Sequence, residues 1–264
     1  MYKLGIIGFG NMGGAIIRSL VAGGVFAPEE VLISELSEEK RTAAEAELGA
    51  AVTASNREAV SGSEMVLLAV KPQFVTGVLE EIADCVRADQ PVISIVAGKD
   101  LAFLESYLGA DKKIIRTMPT TSALVGESCS VIVPNANVTA EETGRILEIY
   151  RSFGKAEIIS EQLMNAFTAV SSSPASVFMM IEALADGAVA CGLPRDMALR
   201  MVAQTVMGSA KMALETGKHP GELKDMVCSP AGTTIELVNV LEESGFRGAL
   251  MDAFRAAAEK SASL

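Results

Sequence analysis

No tryptophan occurs among the 264 residues, aromatic side chains make up only 5%, and His219 is the sole histidine. With one imidazole, the clustered nitrogen ligands of a catalytic transition-metal centre are missing. Cysteine is scarce and scattered: Cys85, Cys129, Cys191 and Cys228 include no close pair, so neither a zinc knuckle nor a redox dithiol is encoded locally. Positive charge is short as well, with 22 Lys and Arg against 33 Asp and Glu and a formal charge of −11, which excludes the phosphate-neutralising patch of a nucleic-acid binder. The N-terminus carries no basic flank followed by an apolar signal core, so a cytoplasmic protein is expected. The longest apolar stretch, Pro174 to Cys191, has Glu182 and Asp186 within it. Carboxylates at the centre of a bilayer are costly, so no membrane span is expected there, but a buried helix or one between subunits.

What is present is a globular composition, 50% hydrophobic and 21% charged, on a chain long enough for two compact units. From residue 1 to 160, short β-branched runs alternate with helical stretches. Leu4 to Ile7, Val31 to Ser34, Met65 to Val70, Val92 to Val96 and Ile114 to Met118 read as strands. Ser130 to Val133 and Ala156 to Ile159 flank a helix over Ala140 to Phe153 and extend the sheet. The fold class is an α/β Rossmann-like domain with a mostly parallel, doubly wound sheet. From 161 to 264 only helices are expected, an all-α domain for substrate binding and dimerisation. Its first long helix has Ser173 as N-cap and Pro174 at the first position, with Gly192 and Pro194 beyond its end. Apolarity around that whole helix leaves two readings, the centre of its own bundle or burial between subunits.

The segment KLGIIGFGNMGG sets a buried strand directly before Gly8, Gly10 and Gly13. This is the spacing by which a strand turns into a helix over a diphosphate: Gly8 makes the tight turn, Gly10 lets amides approach the anion, and Gly13 lets the helix pack closely. Glu35 ends the second strand 22 residues after Gly13, where a carboxylate accepts the ribose hydroxyls and tilts the cofactor from NADPH toward NADH, unless Lys40 and Arg41 turn toward the ribose. Ala69, Val70, Lys71 and Pro72 close a strand at the carboxyl edge, where open α/β sheets bind ligands. In Ser229 to Glu236, Thr233 and Glu236 have capping-box spacing, which by itself reads first as a well-capped helix and second as a helix N-terminus that suits a carboxylate.

With these segments in hand, the chain resembles the pyrroline-5-carboxylate reductases over essentially its whole length. The most specific blocks are IGFGNMGGAI, AVKPQ, IEALADGAVACGLPRDMALRMVAQTVMGSAKM, HPGELKDMVCSPAGTTI and LEESGFRGALMDA. The resemblance implies reduction of 1-pyrroline-5-carboxylate to proline by NADH or NADPH, and a homodimer interlocked through its helical domain, with a decamer of five dimers as a larger form. It implies nucleotide contacts from Gly8, Phe9, Gly10, Asn11 and Met12, and from Ser34, Asn56 and Ala69 to Pro72. It places the substrate carboxylate on Ser229, Gly232, Thr233 and Thr234, with the Thr234 hydroxyl near the ring nitrogen as the catalytic group. The chain departs from the family pattern at Thr120, at Ser171, Ser173 and Ser176, and at Ala231. Those departures leave room for another cyclic imine carboxylate as substrate, or for a nucleotide-binding paralogue without turnover.

Overall fold

The computed structural model describes residues 1–263. An eight-stranded sheet runs in the order β3-β2-β1-β4-β5-β6-β7-β8. Its strands are β1 (Tyr2–Ile7), β2 (Val31–Ser34), β3 (Ala51–Thr53), β4 (Ser63–Leu68), β5 (Val92–Ser94), β6 (Ile114–Met118), β7 (Ser128–Pro134) and β8 (Gly154–Ile158). Helices α1 (Asn11–Ala22), α2 (Glu38–Leu48), α3 (Asn56–Ser61), α4 (Pro72–Ile82), α5 (Leu101–Leu108) and α6 (Ala140–Arg151) connect them.

The sheet is buried on both faces because its central strands are apolar at consecutive positions. In β4, Met65 and Leu67 join the cluster under α1 and α6 with Ile16, Ile17, Leu20, Ile146 and Tyr150. Val66 and Leu68, one residue out of phase, join Val75, Leu79, Ile82 and Leu104 from α4 and α5 on the other face. All pairings are parallel except β6 with β7, where Arg116 lies opposite Val133. Only residues 119–127, with the short 3-10 segment Thr121–Val125 among them, separate those two strands. A parallel return needs a crossover of a dozen or more residues, so this connection can only turn back antiparallel. The short edge strand β3 adds to the strands expected from sequence, pairing Val52 with Ile33.

The chain divides into two compact units, one of Met1–Ser172 with the chain end from Ala257, the other Ser173–Ala256. Helix α7 (Met164–Ser172) therefore lies with the sheet, although it follows the last strand in sequence. The reason is apolar: Met164 and Phe167 pack on Met118, Val131 and Val133. Arg116, 3% exposed in β6, pairs with Glu161 just before α7 at 2.5 Å.

The second unit contains α8 (Pro174–Ala190), α9 (Arg195–Thr216), α10 (Pro220–Val227), α11 (Thr233–Glu243) and most of α12 (Phe246–Ala262). Ser173 does not cap α8 in the expected way: it has helical angles, φ −64° and ψ −21°, and its side chain makes no capping hydrogen bond. An N-cap needs extended backbone for its oxygen to reach forward to the next amides, and helical angles deny that reach. Helix α8 buries Ala185 alone, leaving Phe178 65% and Met179 70% exposed, so it is no bundle centre within one chain.

Candidate active site

Around the first strand, the geometry at the three fingerprint glycines differs from one to the next. Gly8 has φ +98°, and a Cβ on it would lie 2.8 Å from the Ala69 carbonyl oxygen. A Cβ on Gly13 would sit 2.5 Å from the Gly8 oxygen and 2.8 Å from the Ala69 Cβ, so only glycine lets α1 approach this closely. At Gly10 nothing stands within 4 Å, and this residue opens α1 with no side-chain cap. The first-turn amides of α1, from Asn11, Met12 and Gly13, have no acceptor within the helix and stand at the positive end of its dipole, a cradle that fits a diphosphate. Behind the turn, the Arg18 guanidinium lies 5.1 Å from the centre of the Phe9 ring. It also grips Glu47 with bonds of 2.6 and 2.9 Å, which raise the Arg18 pKa and lower that of Glu47.

Beside this cradle the structure brings together the ends of β1, β2 and β4, where sheet order switches from β2 to β4 across β1. The Gly8 amide donates to the Ser34 carbonyl at 2.8 Å and the Ala69 amide to the Ile7 carbonyl at 2.9 Å. The Ser34 hydroxyl donates to Asn56 Oδ1 at 2.7 Å, and Asn56 Nδ2 donates to Glu81 at 2.7 Å. Ser34 and Asn56 are both buried, so this relay braces the edge from below. Glu35 receives the Phe9 amide on Oε2 at 3.1 Å and the Ser37 amide on Oε1 at 3.0 Å. Arg41 donates from one guanidinium nitrogen to the carbonyls of Glu35 and Leu36, at 2.7 and 2.8 Å. Val70 lies beside Gly8, Lys71 is the extended N-cap of α4, and Pro72 takes the first helical position. Sequence reasoning missed the parts of Glu81, Arg18 and Glu47, which act across elements distant in the chain and leave no local pattern.

The other candidate residues belong to the helical unit. Ser229, Pro230, Ala231 and Gly232 form a β-turn closed by the Gly232 amide on the Ser229 carbonyl at 3.1 Å. Ala231 has φ +54°, which with proline before it makes the turn type II. A Cβ on Gly232 would lie 2.3 Å from Ser229 Oγ, so with glycine there the Ser229 hydroxyl tucks against the N-cap of α11. The expected capping box does not form: Gly232 is the N-cap, Thr233 the first helical residue, and no side chain caps the helix. One register step puts Glu236 at the fourth helical position, beyond reach of the N-cap amide. The amides of Thr233, Thr234 and Ile235 consequently head α11 without a capping side chain. His219 caps α10 instead, accepting the Gly221 amide on Nδ1 at 3.1 Å.

Three of the family departures are absorbed by local hydrogen bonds. The Thr120 hydroxyl accepts the Cys129 amide at 2.9 Å and pairs with Ser122 at 2.8 Å. Ser171 donates to the Thr168 carbonyl at 3.0 Å and Ser176 to the Ser173 carbonyl at 2.8 Å. A cleft of about 350 Å³ bordered by Met1, Glu64, Arg87, Asp89 and Arg145 lies at the amino ends of β1, β4 and β5, remote from the glycine turn.

Residues 161–264 match the pyrroline-5-carboxylate reductase dimerisation family, and residues 3–98 match the family described as NADP oxidoreductase, coenzyme F420-dependent. The pyrroline-5-carboxylate reductase of Escherichia coli (strain K12) is 49% identical over 263 residues, covering 99% of this chain and 98% of its own. The chain belongs to the pyrroline-5-carboxylate reductase family. A family member from Methanosarcina acetivorans is 44% identical over 99% of this chain and 97% of its own length. The crystal structure of the Plasmodium falciparum pyrroline carboxylate reductase with NADP bound superposes with a TM-score of 0.91 at 32% identity, covering 99% of this chain and 97% of that one. Membership in this reductase family accounts for the bare apolar faces of the helical unit, which carries the family's dimerisation region.

Proposed function

We propose that this protein reduces 1-pyrroline-5-carboxylate to proline with NAD(P)H, the closing step of proline biosynthesis. The observation that carries the reading is full-length identity of 49% to a pyrroline-5-carboxylate reductase, on a chain whose glycine turn and uncapped α11 are both intact. The protein is a homodimer through its helical region. A decamer of five dimers, residence in the cytoplasm and the absence of a membrane partner extend the same reading, as does a division of labour between residues 1–160 for the dinucleotide and 161–264 for the substrate.

When bound, the reduced nicotinamide supplies the hydride. Everything else falls to the chain. The amides of Gly10 to Gly13 hold the diphosphate, and Phe9 stays in place under Arg18. Glu35 takes the ribose hydroxyls, while Ser34 and Asn56 brace it and Ala69 to Pro72 border the same edge. In the helical unit, the amides that head α11 take the substrate carboxylate together with Ser229, Gly232, Thr233 and Thr234. The Thr234 hydroxyl holds the ring nitrogen and keeps its proton on the imine, so that the carbon remains electrophilic. No histidine is needed at the reacting atoms, in keeping with a chain whose only imidazole caps α10.

Thr234→Ala tests this assignment. Turnover with 1-pyrroline-5-carboxylate should fall by roughly tenfold or more, the value of one charge-assisted hydrogen bond, while the Kd for the nucleotide stays put. Unchanged turnover would remove Thr234 from the mechanism.

A further inference from the structure

Resting on the nucleotide reading above, we infer that Glu35 and Arg41 form a two-residue selector for the 2′ position of the adenosine ribose, set for NADH over NADPH. Glu35 follows directly on β2, beside the glycine turn, where the ribose of a dinucleotide lies in this fold. A surface glutamate ordinarily swings away from an approaching phosphate at little cost. This one is held at both oxygens, by the Phe9 amide at 3.1 Å and the Ser37 amide at 3.0 Å, so its charge is built into the turn. An ionised carboxylate accepts about four hydrogen bonds, and these two amides leave room for two ribose hydroxyls. A 2′-phosphate has no hydrogen to give and meets a fixed negative charge instead.

Arg41 supplies the other half. Its guanidinium is turned to this same edge, as an α2 residue must be to reach the Glu35 and Leu36 carbonyls at 2.7 and 2.8 Å. It is thereby a built-in cation on the edge a 2′-phosphate would approach, its two carbonyl bonds drawn from Nη1 and leaving the Nε and Nη2 hydrogens to give. NADPH is therefore admitted through Arg41, at a disadvantage set by the fixed Glu35 charge. The bond from Phe9 also ties ribose recognition to the diphosphate turn, since the same carboxylate orients a turn amide.

The test compares kcat/KM for NADH and NADPH, with saturating 1-pyrroline-5-carboxylate, in the wild type, E35Q and R41A. The wild type should favour NADH by roughly tenfold or more, and E35Q should erase most of that preference through a lower KM for NADPH. R41A should lose NADPH use by a larger factor than NADH use. A parallel titration with adenosine 2′,5′-bisphosphate and AMP reads the same selectivity without chemistry, and the bisphosphate should gain in E35Q. A wild type that prefers NADPH, or an E35Q variant that loses both cofactors equally, overturns the selector; the second result would leave Glu35 as a brace of the glycine turn. If no imine is reduced but the titration shows the shift, the selector stands and the reductase reading falls. Should E35Q fail to fold, the wild-type ratio and R41A still decide.

Discussion

In the sheet unit Ile6, Ile17, Val66, Leu79 and Ile115 are sealed inside a single chain, whereas in the helical unit Ala185 and Ala198 are the buried apolar residues among those described, and Phe178, Met179 and Leu214 stand bare. The contrast separates two sources of stability. A doubly covered sheet closes its own core, so the edge proposed for the nucleotide is held by intrachain packing. The helices of a single chain close little, and it falls to a partner to cover their apolar faces. The two halves of the proposed reaction therefore depend on concentration differently.

The severest way to break that contrast is a charge on the bare face. Phe178→Asp forfeits an aromatic burial of about 2–3 kcal/mol and buries a carboxylate besides, so the dimer dissociation constant should rise at least about a hundredfold. Sedimentation against concentration measures it, and melting should split into an early helical and a later sheet transition. A dimer that persists undiminished would mean that this face is not the interface. Next in size, Gly13→Val drives a side chain into the Gly8 carbonyl and Ala69. Nucleotide affinity should drop by roughly a hundredfold while the dimer holds, since the damage is confined to the sheet unit. Ordinary affinity would show that α1 can shift aside.

The mildest test concerns a charge pair of the sheet unit, Lys113 with Glu142 at 2.5 Å. Partial burial pushes the Glu142 carboxyl up, but the bonds from Lys113 and Thr139 outweigh it and hold its pKa below the ordinary value. A depressed folded pKa contributes stability above the unfolded carboxylate range, and that contribution is lost as pH falls through the folded value. Lys113→Met should thus cost roughly 1 kcal/mol near neutral pH and almost nothing in strong acid. Denaturant midpoints at the two pH values check it. An equal cost at both would make the lysine's packing, and not its charge, the source.

Much of the sheet unit was legible because its signals are local. The run before Gly8 gave β1, and the glycine spacing gave the turn, whose steric reasons the structure displays at Gly8 and Gly13. The antiparallel turn into β7 was not, because it follows from how few residues join two strands, and β3 escaped because three half-buried residues make no alternating pattern. In the helical unit, Ser173 and the Thr233 to Glu236 spacing misled for one reason. Capping depends on backbone angles and on register to a single residue, and composition fixes neither. Arg41 lay in view as a possible ribose-side cation, but its turn onto two carbonyls is set by how α2 meets the end of β2. The pairing of Arg116 with Glu161 is a contact across 45 positions that no spacing rule foretells.

Ala231 gives the turn proposed for the substrate carboxylate a character of its own. A left-handed alanine carries an energetic burden of about 1 kcal/mol, and the nearest alternative, a type I turn, rotates the Pro230 to Ala231 peptide and swings the Ala231 amide to the opposite side. The turn is in effect a loaded latch, held by the seat of Gly232 on Ser229. A ligand that binds the loaded form has to outweigh that burden, while one content with the sprung form does not. Under the proposed role, anion affinity at this turn is thus coupled to the orientation of a single peptide plane.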